Sequence, residues 1–100
     1  LRAAAEAVEP ADPEVTLLSN ADGQTVASGA EFLQKLVKQV SSPVRWDSCM
    51  ETMAALGVTD MIELLPGGTL TGLAKRGLRG VRTVALKTPD DLEAARELIP

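Results

Sequence analysis

The sequence predicts an α/β fold in which parallel strands are flanked by helices. Three observations carry that prediction. Met61-Ile62-Glu63-Leu64-Leu65 is a mostly apolar run of strand length, without the polar alternation of a sheet that has one wet face. Val81-Arg82-Thr83-Val84-Ala85-Leu86 is a second β-rich run. Around these runs apolar residues recur at helical spacing, and an alternation of strand and helix implies parallel strands joined by crossovers.

Taken in order, the chain opens on Leu1-Arg2-Ala3-Ala4-Ala5-Glu6-Ala7-Val8, a helix-favouring stretch stopped by Pro10 and Pro13. With no methionine in front, it reads as the tail of a helix that begins elsewhere. Val15-Thr16-Leu17-Leu18-Ser19 is expected to be a strand, closed by the turn chemistry of Asp22-Gly23. Gln24-Thr25-Val26-Ala27 is read as a simple connection, with a returning hairpin strand as the alternative. Ser28-Gly29-Ala30-Glu31 has the capping-box pattern, in which the serine oxygen and the glutamate three residues on satisfy free amides at a helix start. Phe32, Leu33, Leu36, Val37 and Val40 then follow the helical period.

Ser42-Pro43 predicts a second helix start, because proline at the first helical position gives up an amide that lacks a partner there. Val44, Trp46, Cys49, Met50, Met53, Ala54 and Leu56 carry that helix to Gly57, a left-handed cap. After the apolar strand, Pro66-Gly67-Gly68 turns the chain, and Thr69 begins a short helix through Leu70, Leu73 and Ala74 to Gly77. Thr88-Pro89-Asp90-Asp91 caps a last helix holding Leu92, Ala95, Leu98 and Ile99. Three such strands would leave open edges and bare faces if the chain stood alone. The expectation is therefore that residues 1–100 are one segment of a larger α/β sheet.

Composition narrows the function. Ten Lys plus Arg against 14 Asp plus Glu leave a net charge of −4, which argues against a nucleic-acid partner, since binding a polyanion rests on a dense basic patch. The chain has no histidine, so no imidazole serves as general base and no Ser-His or Cys-His pair forms within it. One cysteine excludes an internal disulfide and a thiolate-clustered zinc site, and a lone thiol fits a reducing, cytoplasmic compartment. No apolar stretch approaches the roughly 20 residues of a membrane span, and no signal-peptide pattern is visible. With Trp46 and Phe32 as the only large rings, a stacking platform for single strands is not expected.

Several residues invite a chemical role. Pro66-Gly67-Gly68-Thr69 resembles a phosphate cradle only loosely: it lacks the Gly-Lys-Ser/Thr ending and the Gly-x-Gly-x-x-Gly spacing, so it is read as a turn. Glu63 in its apolar strand is either a buried acid of raised pKa or a hydrogen-bonded structural partner. Cys49, beside Trp46, Met50 and Met53, is read as a core thiol, and Trp46 as a packing anchor. Arg45 either pairs with an acid or lines a surface. Gln39 taken alone is a polar residue near a helix end. Lys75 and Arg76 open a basic cluster with Arg79 and Arg82, where cations also favour the negative pole of a helix.

The run Leu36-Val37-Lys38-Gln39-Val40-Ser41-Ser42-Pro43-Val44-Arg45-Trp46, then Met53-Ala54-Ala55-Leu56-Gly57-Val58, then Glu63-Leu64-Leu65-Pro66-Gly67-Gly68-Thr69-Leu70-Thr71-Gly72-Leu73, resembles the C-terminal part of malonyl-CoA:acyl carrier protein transacylases, closest to the actinobacterial type. Ser19-Asn20-Ala21-Asp22-Gly23 before it and Ala74-Lys75-Arg76 after it fall where that family has similar residues. Leu65 departs from the pattern, since the family commonly has glycine before Pro-Gly.

The resemblance implies an α/β-hydrolase-like large subdomain carrying a serine in a Gly-x-Ser-x-Gly elbow, with a ferredoxin-like insertion. It implies ping-pong transfer of malonyl from malonyl-CoA, through a serine ester, to the phosphopantetheine thiol of an acyl carrier protein, in fatty acid or polyketide synthesis, with no bound cofactor. The serine elbow, the catalytic histidine and the malonyl-binding arginine have no match in these residues, so the segment alone is expected to be inert. Gln39 matches the position whose main-chain carbonyl accepts a hydrogen bond from the catalytic histidine, fixing its tautomer as the aspartate of a triad does. Lys75 and Arg76 match a basic pair that docks the acidic carrier, where charge governs encounter and orientation more than chemistry. The implied partners are the acyl carrier protein and the remainder of the acyltransferase polypeptide, with no nucleic acid and no membrane. The alternative from another class is a non-catalytic carrier-binding or structural remnant of the same fold.

Overall fold

A computed structural model describes residues 1–100, which divide into two compact units, Leu1–Thr52 and Met53–Pro100. In the first unit, helix α1 covers Arg2–Glu6 and helix α2 covers Gly29–Gln39. The Ser28 hydroxyl oxygen accepts the Glu31 N–H at 3.1 Å, which is half of the expected capping box. The Glu31 carboxylate faces Lys35 instead, at 3.4 Å on the same helix. Lys35 also reaches Asp22 at 3.1 Å, tying α2 to the turn before it.

The strand expected at Val15–Ser19 does not form. In its place is an isolated antiparallel bridge, Leu18 opposite Thr25, with Ser19 N–H bonded to Gln24 carbonyl at 3.0 Å and Val26 N–H to Leu17 carbonyl at 2.9 Å. The segment at Gln24–Ala27 thus returns as the hairpin alternative and not as a plain connection. Turn chemistry decides this: the Ser19 carbonyl accepts Gly23 N–H at 2.8 Å, and the Asp22 carboxylate accepts Gln24 N–H at 3.0 Å. Ser19, Gly23, Val26 and Cys49 are buried around the turn.

Helix α3 covers Trp46–Ala55, three residues later than the Ser42-Pro43 start predicted from proline placement. Local hydrogen bonds explain the shift. The Gln39 side-chain amide donates to the carbonyls of Ser42 (3.2 Å) and Pro43 (3.1 Å), and Arg45 N–H donates to Asn20 carbonyl (2.8 Å), so this stretch is held in a connection. The first helical bond runs from Cys49 N–H to the Arg45 carbonyl at 3.1 Å.

In the second unit α3 ends as the sequence predicts. Gly57 sits at φ +78°, with Gly57 N–H bonded to Ala54 carbonyl and Val58 N–H to Met53 carbonyl, each at 3.1 Å, which is the Schellman arrangement. Strand β1 (Asp60–Glu63) and strand β2 (Arg82–Ala85) pair in parallel, from Asp60 opposite Arg82 to Glu63 opposite Ala85. Helix α4 (Thr69–Gly77) is the crossover between them. A 3-10 turn at Pro89–Asp91 leads into helix α5 (Leu92–Leu98), where the Asp91 carboxylate accepts the N–H groups of Lys87 (2.8 Å) and Thr88 (2.9 Å). The parallel sheet therefore has two strands, not the three expected, because the Val15 run makes only its single bridge. Ala74, Leu78 and Ala95 are buried, while Leu64 and Leu65 stand 70% and 72% exposed at the carboxyl end of β1. No helix is long and apolar enough to cross a membrane.

Candidate functional site

The second unit is organised around Glu63, the last residue of β1 and buried to 9% exposure. Its carboxylate accepts four hydrogen bonds from the start of α4: Gly68 N–H at 2.9 Å, Leu70 N–H at 3.3 Å, Thr71 N–H at 2.7 Å and the Thr71 hydroxyl at 2.8 Å. Helix N-termini leave such amides without intrahelical partners, and a carboxylate there also meets the positive pole of the helix. Burial is the largest single influence on Glu63 and pushes its pKa up, but the bonds from Thr71, Gly68 and Leu70 together outweigh it and hold the carboxyl below its ordinary value. Of the two readings the sequence left open for Glu63, the structure selects the hydrogen-bonded partner.

The Pro66-Gly67-Gly68 turn makes this contact possible. Gly67 and Gly68 lie at φ +71° and +115°, where glycine alone is free of strain, and together they bring the Gly68 amide back onto the strand end. The turn's outermost amide thus goes to the protein's own carboxylate, in keeping with the sequence reading of a turn.

Lys75 and Arg76 occupy the last turn of α4 and are both exposed, and neither has a carboxylate within ion-pair distance. Arg79 is likewise exposed and unpaired. Arg82 does not join them as the sequence cluster implied, because its guanidinium pairs with Asp60 across the strand register and holds that carboxyl below its usual range. Of the four cations, three are therefore free of an ion pair.

Gln39 is in the first unit, at the last residue of α2. Its side chain is committed to the Ser42 and Pro43 carbonyls, and its own carbonyl accepts Ser42 N–H at 3.2 Å. A carbonyl oxygen has a second lone pair, so this one retains the capacity for a further donor. Arg45 pairs bidentately with Asp47, both bonds at 3.1 Å, on the surface. Cys49 is 2% exposed and its thiol donates to the Ser19 carbonyl at 3.5 Å. Burial first, then the nearby charges of Asp22 and Asp47, push the thiol pKa up, which suits a core residue and not a nucleophile.

For Glu63 the sequence offered the hydrogen-bonded role without the partners that fill it. The signal was present in a carboxylate ending a strand, a Pro-Gly-Gly turn after it, and a helix start whose Gly68 cap has no side chain to offer.

No family model matches the chain. Individual relatives do. A malonyl CoA-acyl carrier protein transacylase of Mycolicibacterium smegmatis is 47% identical over 100 residues, covering 96% of this chain and 34% of the relative. The crystal structure of MCAT from Mycobacterium tuberculosis superposes with a TM-score of 0.87 at 49% identity, covering 93% of this chain and 31% of that one. A second structure, of a type II PKS acyl-carrier protein in complex with its malonyl-transacylase, PlMCAT:AntF, matches at TM-score 0.86 and 30% identity over 96% of this chain and 31% of that one. The chain thus corresponds in sequence and fold to the C-terminal part of these transacylases, and spans about a third of the length of the curated relatives it matches.

Proposed function

We propose that this chain, the counterpart of the C-terminal third of malonyl CoA-acyl carrier protein transacylases, works as the carrier-docking and histidine-orienting segment of such an enzyme in the cytoplasm, serving fatty acid or polyketide synthesis. The single observation that supports this most strongly is similarity along 96% of the chain at 47% identity. In this reading the α/β-hydrolase-like subdomain is completed by the remainder of the polypeptide, which supplies the nucleophilic serine, the histidine and the arginine.

The transfer then proceeds in two balanced steps. The serine oxygen, giving its proton to the histidine, attacks the malonyl thioester carbonyl; the carbon–sulfur bond breaks and coenzyme A leaves as the thiol, taking that proton. The phosphopantetheine thiol of the carrier, deprotonated by the same histidine, attacks the serine ester; a new thioester forms and the serine oxygen recovers the proton. The Gln39 carbonyl accepts the second ring N–H of the histidine and so fixes which nitrogen faces the serine. Lys75 and Arg76 meet acidic groups of the carrier, where unpaired exposed cations raise the encounter rate and set orientation. No cofactor enters either step.

The test is a comparison of residues 1–100 alone with the longer polypeptide that carries them, each incubated with malonyl-CoA and holo carrier protein. Only the longer polypeptide is expected to become malonylated and to pass the group on. Transfer by the hundred residues alone overturns this division of labour, and absence of malonylation in the longer polypeptide leaves a non-catalytic carrier-binding segment.

A further inference from the structure

We infer that Glu63 is a positioning residue for carrier docking: by binding the first turn of α4 to the end of β1 it fixes the direction in which Lys75 and Arg76 are presented. The inference rests on the docking reading given above and adds a residue to it.

Glu63 spans the turn Leu64–Gly67 and closes it with four directional bonds, three of them to the single oxygen Oε1. A buried carboxylate accepting several N–H and O–H groups is a strong, charge-assisted anchor. The other anchors of α4 are apolar: Ala74 on its inner face and Leu78 just past its end are buried, at 0% and 4% exposure. Apolar burial is non-directional, so it sets the rotation and tilt of the helix less sharply than hydrogen bonds do. The carboxylate supplies that direction.

Lys75 and Arg76 lie between the buried Ala74 and Leu78, so loosening the first turn tilts α4 about those residues. Side chains reach about 5–6 Å from a helix axis, so a tilt of about 20° swings their charged ends by roughly 2 Å. Long-range steering tolerates such a displacement, since screening acts over about 8–10 Å. Ion-paired contacts in the docked complex do not, because they require groups within hydrogen-bond distance. Loss of the anchor therefore falls on the stability of the docked complex, while a half-reaction that does not involve the carrier has no use for it.

The test uses the complete polypeptide carrying these residues, as Glu63→Ala, Glu63→Gln and the Lys75→Glu/Arg76→Glu double variant. Glu63→Ala is expected to raise the KM for holo carrier protein about tenfold, through faster dissociation of the docked complex. Its kcat and the rate of self-malonylation by malonyl-CoA are expected to hold. Glu63→Gln keeps an oxygen for Gly68 and Thr71 and recovers most of the loss. Amide exchange at Gly68, Leu70 and Thr71 quickens in Glu63→Ala, while Leu86, whose N–H bonds the Glu63 carbonyl at 2.8 Å, keeps its protection and reports an intact sheet. A carrier KM that stays put in Glu63→Ala while rising in the double variant overturns the positioning role alone. So does an equal loss in both half-reactions. A double variant with unaltered carrier KM removes the docking reading, and this inference with it.

Discussion

Thr71 donates twice to one oxygen of Glu63, from its backbone N–H at 2.7 Å and from its hydroxyl at 2.8 Å. The pair joins the end of β1 to the first turn of α4, and it turns a charged residue in an apolar strand into a helix cap. Burial works against the charge, and the hydrogen bonds more than compensate.

The first expected outcome concerns pH. Glu63 in the folded chain ionises below its ordinary value of 4.5, so as pH falls the unfolded chain takes up its proton first. The stabilisation is fully present above that value and is lost as pH falls through the lower, folded pKa. Urea unfolding of wild type and Glu63→Gln across acidic pH checks this: the gap between them is expected to narrow as pH falls. Asp22, Asp47, Asp60 and Asp91 are shifted the same way but cancel in the difference, so a gap independent of pH contradicts the assignment.

A second outcome separates backbone strain from crowding. Gly57 (φ +78°) has no atom within 4 Å of where a Cβ would stand, so Gly57→Ala is expected to cost only the left-handed penalty, about 1–2 kcal/mol. Gly23 (φ +72°) would press its Cβ against the Ser48 carbonyl carbon and to 2.6 Å from the Cys49 nitrogen. Gly23→Ala adds an overpacking cost to the same penalty, about 2–5 kcal/mol in all. Chemical denaturation of both variants measures the difference, and equal losses contradict the close approach of that turn to α3.

How far the sequence disclosed this arrangement depends on the range of the signals. The helices ending at Gln39, Ala55 and Gly77, and the two paired strands, follow from apolar spacing and from Gly57 and Pro66-Gly67-Gly68, all local features. The Ser42-Pro43 helix start misled because what holds that stretch out of the helix is the Gln39 side chain and the distant Asn20 carbonyl. Val15–Ser19 has strand-forming residues, yet one bridge to Thr25 is all it makes, since pairing depends on neighbours that propensity does not describe. Arg82 looked like a member of the basic cluster until the strand register set it opposite Asp60. The roles proposed for Gln39, Lys75 and Arg76 rest on resemblance; the residues alone show a polar helix end and a basic cluster.

The third outcome concerns Cys49. With the thiol buried and its pKa raised, alkylation by iodoacetamide is expected to be about tenfold or more slower in the folded chain than in urea at the same pH, since the thiolate is the reacting species. Mass spectrometry of the labelled chain reads this directly. Equal rates contradict the burial of the thiol between Ser19 and Asn20.

The fourth separates the side chain of Gln39 from its carbonyl. Gln39→Ala removes the bonds to the Ser42 and Pro43 carbonyls and is expected to destabilise the protein by about 1 kcal/mol, in line with a net hydrogen-bond contribution. In the complete polypeptide kcat is expected to fall less than about tenfold, because a backbone oxygen keeps the proposed role. A loss of several orders of magnitude without matching loss of stability would place the chemistry in the side chain.

The most direct test of the central claim, that this segment meets the carrier while the chemistry lies elsewhere in the polypeptide, is the pair of half-reaction rates in the Lys75→Glu/Arg76→Glu variant of the complete polypeptide. Self-malonylation from malonyl-CoA is expected to stay near wild type, while transfer to the holo carrier at subsaturating concentration falls about tenfold or more and loses much of its salt dependence. Equal losses in the two half-reactions, or unaltered transfer to the carrier, contradict it.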